Sequence, residues 1–142
     1  MLIGTILRKK GTEVTTVSPE ATVRELLAKL AQHNIGAVVV SSDGATITGI
    51  VSERDVVRHL HDHGAEVLDQ PVSTIMTPDV RTVGLGDRVD ELRKIMTTHR
   101  VRHMPVVEDG RLVGIVSIGD VVKSAIEELE TEKASLVDYL HR

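Results

Sequence analysis

The sequence contains no cysteine, no phenylalanine and no tryptophan, and Tyr139 is its only aromatic residue. Without cysteine there is no disulfide framework, no thiolate zinc site and no thiol nucleophile, and a reducing cytoplasm suits the chain. Without aromatic faces there is no platform on which nucleic-acid bases could stack. The net charge of -4 and the pI near 6.0 also lack the basic excess of a phosphate-reading surface, so no nucleic-acid partner is expected. No apolar run approaches the length of about 20 residues that a membrane span requires, so no membrane partner is expected either. The first ten residues, Met1 to Lys10, place their positive charges after a short apolar run, the reverse of a secretory signal, which again points to the cytoplasm. Gly-x-Ser-x-Gly, a P-loop and a cysteine nucleophile are absent, and no catalytic constellation is assigned.

What the chain does have is a repeat. Gly49-Ile50-Val51-Ser52-Glu53-Arg54-Asp55-Val56-Val57 returns 65 residues on as Gly114-Ile115-Val116-Ser117-Ile118-Gly119-Asp120-Val121-Val122. Thr16-Val17 answers Thr82-Val83, and Asp43-Gly44 answers Asp109-Gly110. Internal symmetry of this kind sets the architecture before any single residue is weighed. A chain of 142 residues buries roughly two-thirds of its unfolded surface, whereas half that length gives a marginal core, so the two copies should stabilise each other. The expected division is 1–66 and 67–142, with a linker at 64–78 that carries Pro71 and Pro78 and a short apolar piece, Val72 to Met76.

Each copy reads as strand, helix, strand, turn, strand, helix. Val23, Leu26, Leu27, Leu30 and Ala31 fall at helical spacing after Ser18-Pro19-Glu20, and Val89, Leu92, Ile95 and Met96 answer them. The β-branched run Gly36 to Val40, the Asp43-Gly44 turn and Ile47 to Val51 read as a hairpin, as do Met104 to Val107, Asp109-Gly110 and Leu112 to Val116. The expected class is therefore α/β in the broad sense (α+β), with two pseudo-symmetric repeats, each a small mixed β-sheet with two packed helices. From Ile126 to Leu140, apolar residues at helical spacing among acidic ones give an amphipathic helix longer than one repeat needs, whose free face suits a dimer contact.

Ser52 to Asp55 and Ser117 to Asp120 have the spacing of a helix capping box, worth about 1 kcal/mol, and on spacing alone capping explains them. Their recurrence at the same point of both copies, with Gly119 leaving backbone open to close approach, adds a second reading: a carboxylate that accepts two hydroxyls of a ribose while serine supplies another polar contact.

Together the Gly-Ile-Val-Ser-x-x-Asp-Val-Val pair, the upstream Thr-Val pairs and Arg102-His103-Met104-Pro105-Val106-Val107 resemble a tandem pair of CBS (cystathionine β-synthase) domains, the arrangement called a Bateman module, over about Ile3 to Glu128. The resemblance implies two clefts between paired sheets that hold an adenosyl ligand: AMP, ADP, ATP, NAD(H) or S-adenosylmethionine. It implies that Asp55 and Asp120 hold the ribose hydroxyls, with Ser52 and Ser117 close by. It implies that the base rests against strand backbone and small apolar residues, at Thr16, Val17, Gly36 and Ala37 in one repeat and Thr82, Val83, Met104 and Pro105 in the other. It further implies a flat homodimer and an unidentified target protein. Arg102, with its planar fork of donors, and His103 are the candidate phosphate contacts, with Arg54 third. Arg54 reads equally as a solvated first-turn residue, although a cation at a helix N-terminus is unfavourable and a nearby anion would relieve it.

Other signals carry less. His59, His61 and His63 decorate the end of a helix before Gly64, and the spacing supplies no third strong ligand beside His59 and His63, so no metal is assigned. Arg8-Lys9-Lys10 reads as a solvated loop, with an interaction patch or a phosphate contact as the other readings. The expected function is a non-catalytic regulatory module, and the alternative is a nucleotide-independent scaffold. A small nucleotide hydrolase ranks last for want of an activated nucleophile.

Overall fold

The structure is a computed structural model that describes residues 1–141; Arg142, the last residue of the expected second half, lies outside the described residues. Two three-stranded mixed sheets form, in the order β1-β2-β3 and β4-β5-β6. In the first, β1 (Thr16–Val17) runs parallel to β2 (Ala37–Val40), which pairs antiparallel with β3 (Gly49–Ser52). In the second, β4 (Val83–Gly84), β5 (His103–Glu108) and β6 (Arg111–Ser117) repeat that pattern, and Ala37↔Ser52 is answered by His103↔Ser117. The expected α+β class and the two repeats are thus present.

Helices form where apolar spacing and caps agree. The helix α2 (Val23–His33) opens on Thr22, whose hydroxyl accepts from the Glu25 amide at 3.1 Å, and it buries Val23, Leu26 and Leu30 on one face. Its counterpart α4 (Val89–His99) buries Val89, Leu92 and Met96. Ser52 and Ser117 cap α3 (Glu53–His63) and α5 (Ile118–Leu140) with complete capping boxes. The segment from Ile126 to Leu140 is no separate element, because α5 runs unbroken for 23 residues from the Ser117 cap. No helix among the described residues is long and apolar enough to cross a membrane.

The hairpins differ. Asp109 at φ 52° and Gly110 at φ 76° make a two-residue turn of the mirror-image kind that matches strand twist. In the first repeat, residues 41–48 form a longer loop in which Asp43 Oδ1 accepts from the Ala45 and Thr46 amides at 2.9 and 2.7 Å. Those two amides lead in holding the Asp43 carboxyl well below the usual carboxylate range.

The two cores are interleaved along the chain. Residues Ile3–Lys10, expected as an apolar start and a solvated basic loop, form a helix, α1, whose Ile3, Ile6 and Leu7 pack with Val83, Leu92, Met104 and Val116 of the second repeat. The apolar spacing of Ile3, Ile6 and Leu7 is helical, and their burial at 4 % exposure or less outweighs the weak propensity of Gly4 and Thr5. Conversely Val67, Val72 and Ile75, on two short 3₁₀ turns ahead of the second repeat, complete the first core with Leu26, Val38 and Val51. Each leading segment therefore lies on the other repeat's sheet. The crossings are also tied through backbone: Ile50 and Thr77 exchange amide and carbonyl bonds at 3.0 and 2.8 Å, and Leu112 N donates to Ala45 O at 2.8 Å.

Two equivalent glycines admit these crossings. A Cβ on Gly49 would lie 2.6 Å from Met76 Sδ and 2.9 Å from the Thr77 carbonyl, and one on Gly114 would lie 2.7 Å from Leu7 Cδ1. We expect Gly49→Ala to destabilise by about 1–3 kcal/mol, the range for overpacking, because the Thr77 carbonyl is held in a bridge and cannot yield. Gly114→Ala, which meets the flexible end of Leu7, should cost less. Chemical denaturation of both variants checks the order, and equal effects would mean that the 77 crossing is loose.

Candidate functional site

Along the first repeat's sheet edge, β2 begins and β3 ends where α3 starts, so Gly36, Ala37, Ser52 and Asp55 are brought to one place. The crossing at Thr77 carries residues 77–81 past that edge, and the α4–β5 connection brings residues 99–103 from the other repeat. Between them lies a cleft of about 590 Å³, in the size range of small-ligand sites. Gly36, Ala37, Ser52, Arg54, Asp55, Arg102 and His103, all singled out from the sequence, line it together.

Asp55 is held by its cap. Its Oδ2 accepts from Ser52 N at 2.8 Å and Ser52 Oγ at 3.0 Å, so the carboxylate is fixed in direction. Five arginines reach the cleft: Arg54 and Arg58 from α3, Arg81 from the crossing segment, and Arg100 and Arg102 from the loop before β5. Among the described residues none of the five has an ion-pair partner, and Glu53, Asp55 and Asp79 are the carboxylates facing them. All five are exposed, so solvent screens much of their mutual repulsion, and an anion entering the cleft would relieve the rest.

Arg58, Arg81 and Arg100 were not singled out from the sequence. Arg58 lies one helical turn after Arg54, a signal that helical spacing alone carries. Arg81 and Arg100 arrive only through the crossing and the α4 cap, which no local pattern reveals. Arg100 stands at the helix end in the left-handed region, φ 53°, where its counterpart in the first repeat is Asn34 at φ 52°. Asparagine tolerates that conformation and arginine pays for it.

His103 begins β5 between the two repeats. Burial first, and then the Lys10 ammonium, lower its pKa, against the opposing pull of Asp120 and Glu53. It thus senses both copies of the Ser-x-x-Asp motif at once. Around Asp120 the environment differs from that of Asp55. Asp120 Oδ2 accepts from Ser117 N at 2.8 Å and from Lys10 Nζ at 2.6 Å, and Lys10 also donates to the Ile115 carbonyl at 2.8 Å. Burial alone would raise the Asp120 pKa, but the bonds from Lys10 and Ser117 outweigh it and hold the carboxyl below its ordinary value. The basic run at 8–10 is accordingly not a solvated loop. Lys10 is bonded, and Lys9 pairs with Glu127 at 3.5 Å.

The remaining candidates are dispersed. Val17, Val83 and Met104 are buried in the two cores, and Pro105 is buried next to Met104 on β5. Thr16 sits in β1, with its carbonyl accepting from Lys29 Nζ. Thr82 lines a shallower recess of about 600 Å³ under the two hairpin turns, with Asp79, Val80 and Arg81 forming the wall shared with the arginine cleft. His59 and His63 stack with centroids 5.8 Å apart, and no three His, Cys, Asp or Glu side chains among the described residues converge as metal ligands.

Two small mixed sheets with interleaved cores, each ending in a Ser-x-x-Asp helix cap, define a tandem CBS-domain pair, and the chain belongs to the CBS-domain family. The family model, described as the CBS domain, matches residues 3–62 and again 72–127. A CBS-domain protein of Agrobacterium tumefaciens, ATU1752, has a solved structure that superposes with a TM-score of 0.85 at 44% identity, covering 88% of this chain and 99% of that one. The CBS domain-containing protein YhcV of Bacillus subtilis is 31% identical over 87% of this chain and 84% of its own length. The mitochondrial CBSX3 of Arabidopsis thaliana is 35% identical over 84% of this chain, which spans only 60% of that relative's length. The CBS domain pair of protein MJ0100, 25% identical with a TM-score of 0.79 over 90% of this chain and 98% of that one, has been solved in complex with 5′-methylthioadenosine and S-adenosylmethionine.

Replacing Arg100 by Asn separates strain from charge. We expect Arg100→Asn to raise stability by about 0.5–1 kcal/mol, part of the left-handed cost that arginine bears, while weakening binding of anions in the cleft. Thermal unfolding with and without inorganic pyrophosphate checks both halves. A variant less stable than the parent would mean that the Arg100 side chain contributes packing.

Proposed function

We propose that this chain is a non-catalytic regulatory module whose first cleft binds an adenosyl ligand bearing phosphate. The observation that carries this reading is the set of five arginines, without ion-pair partners among the described residues, around the oriented carboxylate of Asp55. Asp55 is suited to two ribose hydroxyls, the adenine to Gly36, Ala37 and Ile50 on the sheet edge, and the phosphates to Arg54, Arg58, Arg102 and His103. The complex of the related MJ0100 pair supports an adenosyl class. The charge here favours AMP, ADP, ATP or NAD(H) over S-adenosylmethionine, whose sulfonium is cationic. Ligand binding that draws residues 77–81 and 99–103 toward α3 would alter the packing between repeats and so the surface that a target protein meets.

A homodimer belongs to the same reading. Val57 on α3 and its equivalent Val122 on α5 are 64% and 51% exposed, and Ile126, Leu129, Leu136 and Leu140 continue an apolar face along α5. Faces of this kind mark association surfaces. Sedimentation should give a dimer at micromolar concentration, and a monomer would remove this element of the proposal.

The experiment for the ligand is a thermal-shift screen with AMP, ADP, ATP, NAD(H) and S-adenosylmethionine at millimolar concentration. A ligand at about 100 times its Kd stabilises the native state by about 2.7 kcal/mol, a shift of several degrees. Phosphate-bearing ligands should give the larger shifts, and Asp55→Ala should weaken them by about 1–3 kcal/mol through lost charge-assisted hydrogen bonds. No shift with any ligand would turn the reading to a nucleotide-independent scaffold.

A further inference from the structure

Lys10 is the last residue of α1, and that helix is fixed in the second core by Ile3, Ile6 and Leu7. This packing holds α1 beside β6 and α5, and Gly11 at φ 99° ends the helix directly after Lys10. From this position the ammonium reaches the second repeat's Ser-x-x-Asp motif, bonding Asp120 Oδ2 at 2.6 Å and the Ile115 carbonyl at 2.8 Å. The first repeat has nothing comparable. Six residues before its Thr-Val pair the second copy has Met76, where the first has Lys10. Met76 packs against Gly49 and the first core, and no cation pairs with Asp55 among the described residues.

The Lys10 and Asp120 side chains are 34% and 23% exposed, so the pair is open to exchange with solvent and with ligand. A ribose diol binding across both oxygens of Asp120 must take Oδ2 from the ammonium, whereas at Asp55 no ammonium stands in the way. We infer that Lys10 acts as an intramolecular occupant of the second ribose position, so that the two clefts fill in order, Asp55 first and Asp120 only when ligand displaces Lys10. The inference rests on the reading that the two aspartates hold ribose hydroxyls. It makes Lys10 the residue that sets the inequality of the clefts, through competition for one carboxylate oxygen. A position occupied by its own tether about nine-tenths of the time binds a free ligand about tenfold more weakly.

Calorimetric titration with ATP of the full chain, Lys10→Met, Asp55→Asn and, as a control, Lys9→Met tests this. The parent should show one strong site and a second at least about tenfold weaker. Asp55→Asn should lose the strong site. Lys10→Met, which places beside Asp120 the residue type that Met76 supplies at the equivalent point of the other copy, should strengthen the weak site about tenfold and leave the strong one alone, and Lys9→Met should change neither. Two sites of equal affinity in the parent, or weaker binding by Lys10→Met, would overturn the inference, the latter by making Lys10 a phosphate contact. Absence of ATP binding in every variant would defeat the ribose reading itself, and this inference with it. A readout that needs no variant is lysine acetylation of the ligand-free protein. Lys10 should be protected relative to Lys9, and equal reactivity would overturn the latch.

Discussion

The exchange of leading segments between repeats is the constraint on which the rest of this molecule depends. A unit of one sheet and two helices leaves part of its apolar surface uncovered, and at this size it has little burial to spare. Here α1 covers the second sheet and residues 65–77 cover the first, so neither core is complete without chain that precedes the other repeat. The two halves are thereby bound to fold as one body. Gly49 and Gly114, at the same point of each copy, are small because the crossings pass directly over them.

The same exchange builds the functional geometry. The first crossing brings Asp79, Val80 and Arg81 to the edge of the Asp55 cleft, and the bridge between Ile50 and Thr77 fixes them there. The second brings Lys10 to Asp120. Two copies of one capping motif therefore have unequal cationic settings, to which the segments laid across them contribute Arg81 at one and Lys10 at the other. One faces arginines and the other a tethered ammonium. His103, at the start of β5, is placed between them and feels charges from both. A pseudo-symmetric fold is in this way compatible with unequal sites, without any change in the Ser-x-x-Asp pattern itself.

Local chemistry made much of this legible beforehand. The repeated Ser-x-x-Asp, the apolar spacing of Val23, Leu26 and Leu30 and the Asp109-Gly110 turn each specify an element through contacts within a few residues. Seven of the residues named from the sequence do share one cleft. The part that was not legible is set by distant contacts. The helix α1 is short, contains Gly4 and owes its existence to partners some eighty residues away in sequence. Lys10 looked like solvated charge because its acidic partner, Asp120, lies 110 residues away in sequence, and Arg81 and Arg100 gain their meaning only from the crossing and the left-handed helix end. Val17, Val83 and Met104 show the converse. They flank the sites in sequence, but the strand pleat turns their side chains into the cores.

The most direct test of two unequal, adenosyl-binding clefts is a crystal structure of the protein grown with one equivalent of ATP. The nucleotide should lie with its ribose hydroxyls on Asp55 and its phosphates among Arg54, Arg58 and Arg102, while Lys10 still bonds Asp120. Nucleotide seated on Asp120 with the Asp55 cleft empty would contradict the central claim.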